Sequence, residues 1–196
     1  MHDAHAHQEH EEEPSPSDVL ESEHRVIERV LDLMDRAADQ IDGGRLPPLS
    51  VFLNITDFIA GFADADHHGK EEWKMFPMLA EEGMPTDHGP MKQLIADHAR
   101  GRELNGQMRH ATERLRHGEA KADADLLRAM REYVKLLHVH IKKEDNMFFP
   151  MADRMLDEAH QRQLSEQFDE VEADQMGETG RIRYLRMLAD IEEELG

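Results

Sequence analysis

Two histidine–glutamate pairs are the residues of this chain with the clearest capacity for chemistry. His67 stands four positions before Glu71, and His140 stands four positions before Glu144; a Phe-Pro-Met sequence begins at the fifth position after each glutamate. In an α-helix, residues i and i+4 lie one above the other on one face, so each copy directs an imidazole and a carboxylate to the same point. Two such pairs can together surround a pair of metal ions.

Helical periodicity selects which polar residues of these segments face inward. His67 and Glu71 continue an apolar stripe that also contains Ile55, Ile59, Ala63, Met75 and Met78. The neighbouring His68 and Glu72 continue a line through Asp57, Gly61 and Asp64, and this line is predicted to face solvent. His140 and Glu144 lie in line with Met130, Tyr133, Leu137, Met147 and Met151, so they are predicted to face inward as well.

Two more helices each direct one histidine into the predicted core. His24 is in line with Leu20 and Ile27, and His98 is in line with Met91 and Ile95. A lone core histidine is usually a packing residue, but here six polar groups fall on four core stripes. Burying two carboxylates without neutralisation costs several kcal/mol each, and neither pair has a Lys or Arg on its stripe within one turn. A metal is the simplest compensation.

The types of the ligands narrow the choice of metal. Because the chain has no cysteine, disulfides, thiolate zinc sites and iron–sulfur clusters are excluded, and the ligands must be His, Asp or Glu. Six protein ligands are too many for one tetrahedral zinc, whereas they suit two octahedral ions that share bridging carboxylates. Mixed imidazole and carboxylate ligands in a helical bundle indicate a pair of non-haem iron or manganese ions. Few anionic ligands favour reversible binding of a small molecule over irreversible oxidation.

The elements that must position these residues are helices throughout. The first is predicted from about Val19, capped by Ser17 or Asp18, to Asp42, and a cap at Ser50 begins the second. The others are predicted at about 89–118, 122–150, 157–175 and 182–195. The fold class is therefore all-α: an antiparallel up-down-up-down four-helix bundle with a C-terminal helical extension. The domain organisation is a disordered His- and Glu-rich tail (1–16), the bundle (17–155) and the extension (156–196).

The charge of the chain excludes two classes of partner. Asp and Glu number 43 against 23 Lys and Arg, and the net charge of −20 repels nucleic acid and anionic membrane surfaces. The sequence contains no apolar run of 18 residues and no recognisable signal peptide. A cytoplasmic protein is expected.

The ordered set of motifs resembles the hemerythrin-like, or HHE cation-binding, domains of bacterial type. The resemblance covers about residues 17–155 and rests on Glu23-His24, on the segments His67–Pro77 and His140–Pro150, and on Asp97-His98. It implies a four-helix bundle around two non-haem iron ions with an oxo or hydroxo bridge. Glu71 and Glu144 bridge the ions in this picture, and histidines cap them. The implied metal ligands are His24, His67, Glu71, His98, His140 and Glu144.

The chain departs from the oxygen carriers of this family at two positions. The carriers have two histidines one turn apart on the third helix, whereas His98 here is flanked at that spacing by Leu94 and Arg102. Water, His68 on a turned helix, or Glu103 are the alternatives for the missing fifth histidine. The carriers also place their last carboxylate five residues after the histidine, at Asp145 here; the internal repeat favours Glu144.

Three functions are compatible with this site. The first is binding of dioxygen or another small diatomic or peroxide ligand, for sensing, storage or carriage. The alternatives are a di-iron enzyme acting on peroxide or nitric oxide, and an iron-holding bundle without ligand chemistry. Because no dedicated proton donor can be placed at the site, we expect a metal- and oxygen-binding protein rather than an enzyme.

Overall fold

The computed structural model describes residues 14–177 and 180–196, and all the regular structure in these two ranges is helical. Six continuous helices follow one another, so the all-α prediction is confirmed. The predicted tail lies outside the described residues except for its last three positions. The helices are α1 (Pro16–Asp42), α2 (49–81), α3 (Gly89–Arg116), α4 (122–155), α5 (Glu158–Met176) and α6 (Gly180–Leu195).

The predicted caps of the first two helices were wrong by a few residues. Ser15 caps α1, because its hydroxyl accepts the Asp18 backbone N–H while the Asp18 carboxylate accepts the Ser15 backbone N–H. Pro16 then occupies the first helical position, where a missing N–H costs nothing. Before α2 the cap position is Pro48, and Ser50 uses its hydroxyl to bond Glu194 of α6.

Both copies of the sequence repeat contain a π-helical turn between the glutamate and the proline. The turns are Glu71–Met75 and Glu144–Phe148. In each, the backbone N–H of the following Phe bonds the glutamate carbonyl five residues back. A proline ring clashes with the carbonyl four residues before it, and the wider π turn gives that carbonyl room. The Phe-Pro of the repeat therefore sets the local backbone around each glutamate.

Three helix pairs run antiparallel, as their side-chain contacts show. Ser17 bonds Asp153 at 2.7 Å and Arg131 bonds Asp35 at 2.8 Å, which sets α1 against α4. Asn105 bonds the Thr56 carbonyl and Arg102 bonds Asp64, which sets α2 against α3. Lys143 bonds Asp97 and Arg100 bonds Glu132, which sets α3 against α4.

The apolar core is divided into two clusters, and the polar residues of interest lie between them. One cluster includes Ile27, Ala63 and Leu137, and the other includes Leu20 and Phe148. Along α1, for example, His24 lies between Leu20 of one cluster and Ile27 of the other. The site is thus enclosed by hydrocarbon on both sides, where an unpaired charge is costly.

The C-terminal helices belong to the same packed structure. Tyr184 and Leu188 of α6 join the larger cluster, and Leu164 and Phe168 of α5 join the smaller one. The contact at Gly61 is close enough that a Cβ there would come within 1.7 Å of the Tyr184 hydroxyl. Among the helices of the described ranges, none combines the length and apolarity needed to cross a membrane.

Candidate metal centre

All six predicted ligand residues are buried and converge on one region between the two apolar clusters. Each residue offers a nitrogen or oxygen atom, and within each of two groups these atoms lie within 4.8 Å of one another. Glu71 belongs to both groups. The first group is His68, Glu71, His98 and His140, and the second is His24, His67, Glu71 and Glu144.

His68 corrects the register predicted from the sequence. It was expected on a solvated face, yet it is only 4 % exposed and joins the first group. The reason is a π-helical segment, Ile59–His67, that directly precedes it. A wider turn leaves a smaller rotation between successive residues, so His67 and His68 both face inward.

The other residues considered at the site lie outside both groups. Glu103 is exposed and pairs with Arg100 on its own helix, so it does not replace the missing fifth histidine. Glu72 is half-buried rather than solvated, and Asp145 is half-buried beside His24. Of the two protein side chains proposed for the fifth position, the structure brings His68 into the cluster.

The inward-facing nitrogen and oxygen atoms lie close enough together to bind the same metal ion. His24 Nε2 and His140 Nε2 lie 3.2 and 3.1 Å from Glu144 Oε2. Glu71 directs its two oxygens to different groups, with Oε2 3.4 Å from His98 Nε2 and Oε1 3.9 Å from His67 Nε2. A carboxylate that faces both groups has the arrangement of a bridge between two ions.

Several of these atoms have no hydrogen-bond partner among the described residues. They are the Nε2 atoms of His24 and His67 and both carboxylate oxygens of Glu71 and of Glu144. Buried polar atoms in folded proteins are nearly always hydrogen-bonded, and buried carboxylates without a partner are expensive. Bound cations would satisfy all six atoms at once, so the residues fit a metal centre.

Each histidine of the cluster turns its other nitrogen, Nδ1, toward a carboxylate. Four of these contacts are hydrogen bonds of 2.6 to 3.4 Å, and the fifth, from His140 to Asp97, is longer at 3.6 Å. Metal-binding histidines commonly have such partners, which fix the ring orientation and tautomer. The pairs are His24–Asp145, His67–Glu23, His68–Asp64, His98–Glu72 and His140–Asp97.

Four of these pairs connect the helices in a closed ring. A carboxylate of α1 contacts a histidine of α2, and the same relation holds from α2 to α3, from α3 to α4 and from α4 back to α1. These carboxylates are not assigned from the sequence as partners of the histidines, although each is adjacent to a predicted ligand. The signal was the acid beside each inward residue: Glu23, Glu72, Asp97 and Asp145.

The two halves of the ring repeat one another in sequence. The residues of α1 and α2 recur in α3 and α4 at an offset of 73 or 74 positions, so that Glu23-His24 corresponds to Asp97-His98 and His67 corresponds to His140. His68 has no counterpart, since Ile141 occupies its place. The first group consequently has three histidines and the second has two.

A cation binds the outer side of each carboxylate in the ring. Lys70 bonds Glu23, Arg102 bonds Glu72, Lys143 bonds Asp97 and Arg25 bonds Asp145. Arg102 also bonds Asp64, which is the carboxylate partner of His68. Burial of Glu72 is outweighed by pairing with His98 and Arg102, which lowers its pKa to about 2, whereas burial outweighs Lys70 and raises the pKa of Glu23 to about 7.

The pKa values of the two inward glutamates are shifted in opposite directions. Burial, and then the neighbouring charge of Glu144, raise the pKa of Glu71 well above its ordinary value. Burial acts the same way on Glu144, but His140 and the other imidazoles outweigh it and lower its pKa. Burial lowers the pKa of His140, yet Glu144 and Asp97 reverse the effect and raise it to about 9. Without a cation, these shifts favour the protonated forms of Glu71 and His140.

A helical fold around a buried cluster of imidazoles and carboxylates defines a class of metal-binding helical proteins. The sequence model of the hemerythrin HHE cation binding domain matches residues 15–152, and the chain belongs to that family. It is also similar to uncharacterized proteins of Mycobacterium tuberculosis and Mycobacterium bovis, with 28% identity over 183 residues, 93% of this chain and 70% of each relative. No solved structure matches the chain significantly.

Proposed function

We propose that the protein binds two iron ions and uses them to bind dioxygen or a related small ligand. His68, His98 and His140 hold one ion, His24 and His67 hold the other, and Glu71 and Glu144 lie between them. The observation that carries the proposal is a set of buried carboxylate oxygens that lie beside two groups of histidines and have no hydrogen-bond partner in the described part of the chain. We further infer that α1 to α4 form an up-down-up-down four-helix bundle around this centre.

The unequal number of histidines supports a place for the exogenous ligand. The group of His24 and His67 has one imidazole fewer than the other, so a small ligand is proposed at that position. Apolar rings enclose the cluster: Phe149 stacks on His24 with centroids 5.5 Å apart, and Phe76 stacks on His98 at 6.1 Å. Such walls exclude bulk water, which favours binding of a small uncharged molecule over solvent.

Metal quantification combined with optical spectroscopy tests the proposal. The protein, produced with iron, should contain two irons per chain and show the charge-transfer band of a bridged ferric pair in air, which disappears on anaerobic reduction. Re-exposure to oxygen then distinguishes a stable adduct from immediate oxidation, and turnover of peroxide or nitric oxide identifies the enzymatic alternative. One zinc per chain contradicts the proposal.

His140 and His138 provide a matched pair of variants. His140 is buried in the cluster, whereas His138, two residues earlier on the same helix, is exposed. His140→Ala should lower the iron content and abolish the band, and His138→Ala should change neither. Equal iron content in the two variants would exclude the proposed site.

A further inference from the structure

The four cations that hold the ring carboxylates differ sharply in burial. Lys70 has a side chain only 1% exposed, whereas Arg25, Arg102 and Lys143 are 55%, 40% and 25% exposed. Lys70 and Lys143 occupy corresponding positions of the two halves. One half of the pseudo-symmetric centre therefore has a covered cation and the other an accessible one.

The cover over Lys70 includes helix α5. Besides Glu23 at 2.5 Å and Asp66 at 2.8 Å, the Lys70 ammonium contacts Glu172 of α5 at 3.6 Å. Glu23 bonds His67 Nδ1 at 2.9 Å with its other oxygen. A continuous polar chain thus runs from His67, whose Nε2 faces the second group, through Glu23 and Lys70 to α5.

The contact between α5 and the bundle is incompletely packed. A surface cavity of about 330 Å³ lies beside Lys70 and is lined by Phe168 and Glu172 of α5 together with residues at the start of α1. Beyond α5, the chain passes through Gly177, which has a positive φ of 61°. A helix held by a few apolar residues and a few ion pairs, among them Glu172 with Lys70 and Glu170 with Lys74, can shift its docking equilibrium without disrupting the core.

We propose that Lys70 is a positioning residue that couples the metal position of His24 and His67 to the docking of α5, an inference that rests on the proposed function. An ion at Nε2 of His67 fixes the ring, the ring fixes Glu23, and Glu23 fixes the ammonium that Glu172 contacts. Because coupling between two equilibria is reciprocal, loss of the α5 contact weakens binding of that ion.

Hydrogen–deuterium exchange of the full chain, without metal and with ferrous iron under anaerobic conditions, measures the coupling. Iron should slow exchange of the α5 amides. Glu172→Gln removes the contact at the protein surface and should weaken one of the two iron-binding steps about twofold to fivefold. Glu170→Gln is the control on the same helix, because Glu170 pairs with Lys74 at 3.5 Å and is outside the polar chain.

The two corresponding lysines give a second comparison. Lys70→Met leaves Glu23, the partner of His67, without its cation; it should weaken one iron-binding step by up to about 10-fold, the low end of the cost of losing a direct partner, and should remove the effect of iron on α5. Lys143→Met should weaken the other step and leave the response of α5 intact. If Lys70→Met does not fold, the comparison of Glu172→Gln with Glu170→Gln still decides the matter.

Each failure has a distinct signature. Two bound irons with unchanged exchange in α5, or equal effects of the Glu172 and Glu170 variants, would overturn the coupling and leave the proposed function standing. Absence of iron binding by the unaltered protein would overturn both.

Discussion

Glu71→Gln should make the metal-free protein more stable than its parent and the iron-loaded protein less stable than its parent. Both oxygens of Glu71 and of Glu144 lack hydrogen-bond partners among the described residues, and each residue offers an oxygen within 4.8 Å of the other's in the second group. Two ionised carboxylates at that separation repel by about 3 kcal/mol at an effective dielectric constant of about 20. Burial and this repulsion are the reasons why the pKa of Glu71 is raised.

Glutamine makes the neutral state permanent and can donate its amide hydrogens to Glu144. Relief of one buried, unpaired group is worth about 1–3 kcal/mol. In a chain of this size that corresponds to a rise in the melting temperature of about 2–4 °C per kcal/mol. The metal-free variant should therefore melt above the metal-free parent. With iron at about 100 times its dissociation constant, the parent gains about 2.7 kcal/mol per bound ion and the variant, lacking the bridge, gains far less.

Thermal unfolding followed by circular dichroism, in chelator and in anaerobic ferrous iron, measures both differences. Glu72→Gln is the adjacent control: Glu72 already accepts bonds from His98 and Arg102, each at 2.7 Å, so its replacement should lower metal-free stability by about 1 kcal/mol. A metal-free Glu71→Gln protein that melts below its parent would refute the argument that Glu71 is uncompensated without a cation.

Three further outcomes are expected. His68→Ile removes a proposed ligand and should weaken the tighter of the two iron-binding steps. The loss of affinity should exceed the roughly 10- to 100-fold loss caused by removing a residue that only hydrogen-bonds a ligand, so that the two steps of the titration merge into one. Gly61→Ala should destabilise the protein by about 1–3 kcal/mol in chemical denaturation, because its Cβ meets Tyr184, while Gly106→Ala, where a Cβ meets no atom within 4 Å, should stabilise it by about 0.5–1 kcal/mol. The pKa of His140 is raised to about 9, and the imidazole must be neutral to bind metal. Metal affinity should therefore rise with pH between 7 and 9, by about tenfold per unit for this one proton. Calorimetric titrations in buffers of different ionisation enthalpy count the protons released, and an affinity that does not change with pH contradicts the assignment.

Much of the helical framework could be predicted from sequence because Gly and Pro mark its ends. The predicted end of α1 at Asp42 and the start of α3 at Gly89 are confirmed, and the predicted inward stripes bring all six proposed ligands to one place. The prediction that His68 faces solvent is wrong because it assumes a constant rotation per residue along a helix that contains π turns. The prolines of the repeat were the available signal for two of the three π segments.

The outer carboxylates and Lys70 could not be assigned from one helix at a time. Periodicity within α2 correctly places no cation on the stripe of His67 and Glu71, yet Lys70 bonds Glu23 of α1 from another face of the helix. Contacts of this kind depend on the distance between helices and on their relative rotation, and a stripe analysis contains neither quantity. Once the helices are placed, the adjacent acid–histidine dipeptides account for the pattern.

Comparison of the two halves of the internal repeat shows where the centre is asymmetric. If both halves were equivalent, each ion would have the same ligands and neither would be distinguished as the position for a small molecule. The exchange of His68 for Ile141 breaks this equivalence on the ligand side, because it gives one group a third imidazole. On the outer side, α5 breaks it again by burying Lys70 but leaving Lys143 accessible. Under the proposed function, the first difference favours the group of His24 and His67 as the position of the small ligand, and α5 contacts the outer cation of that same group.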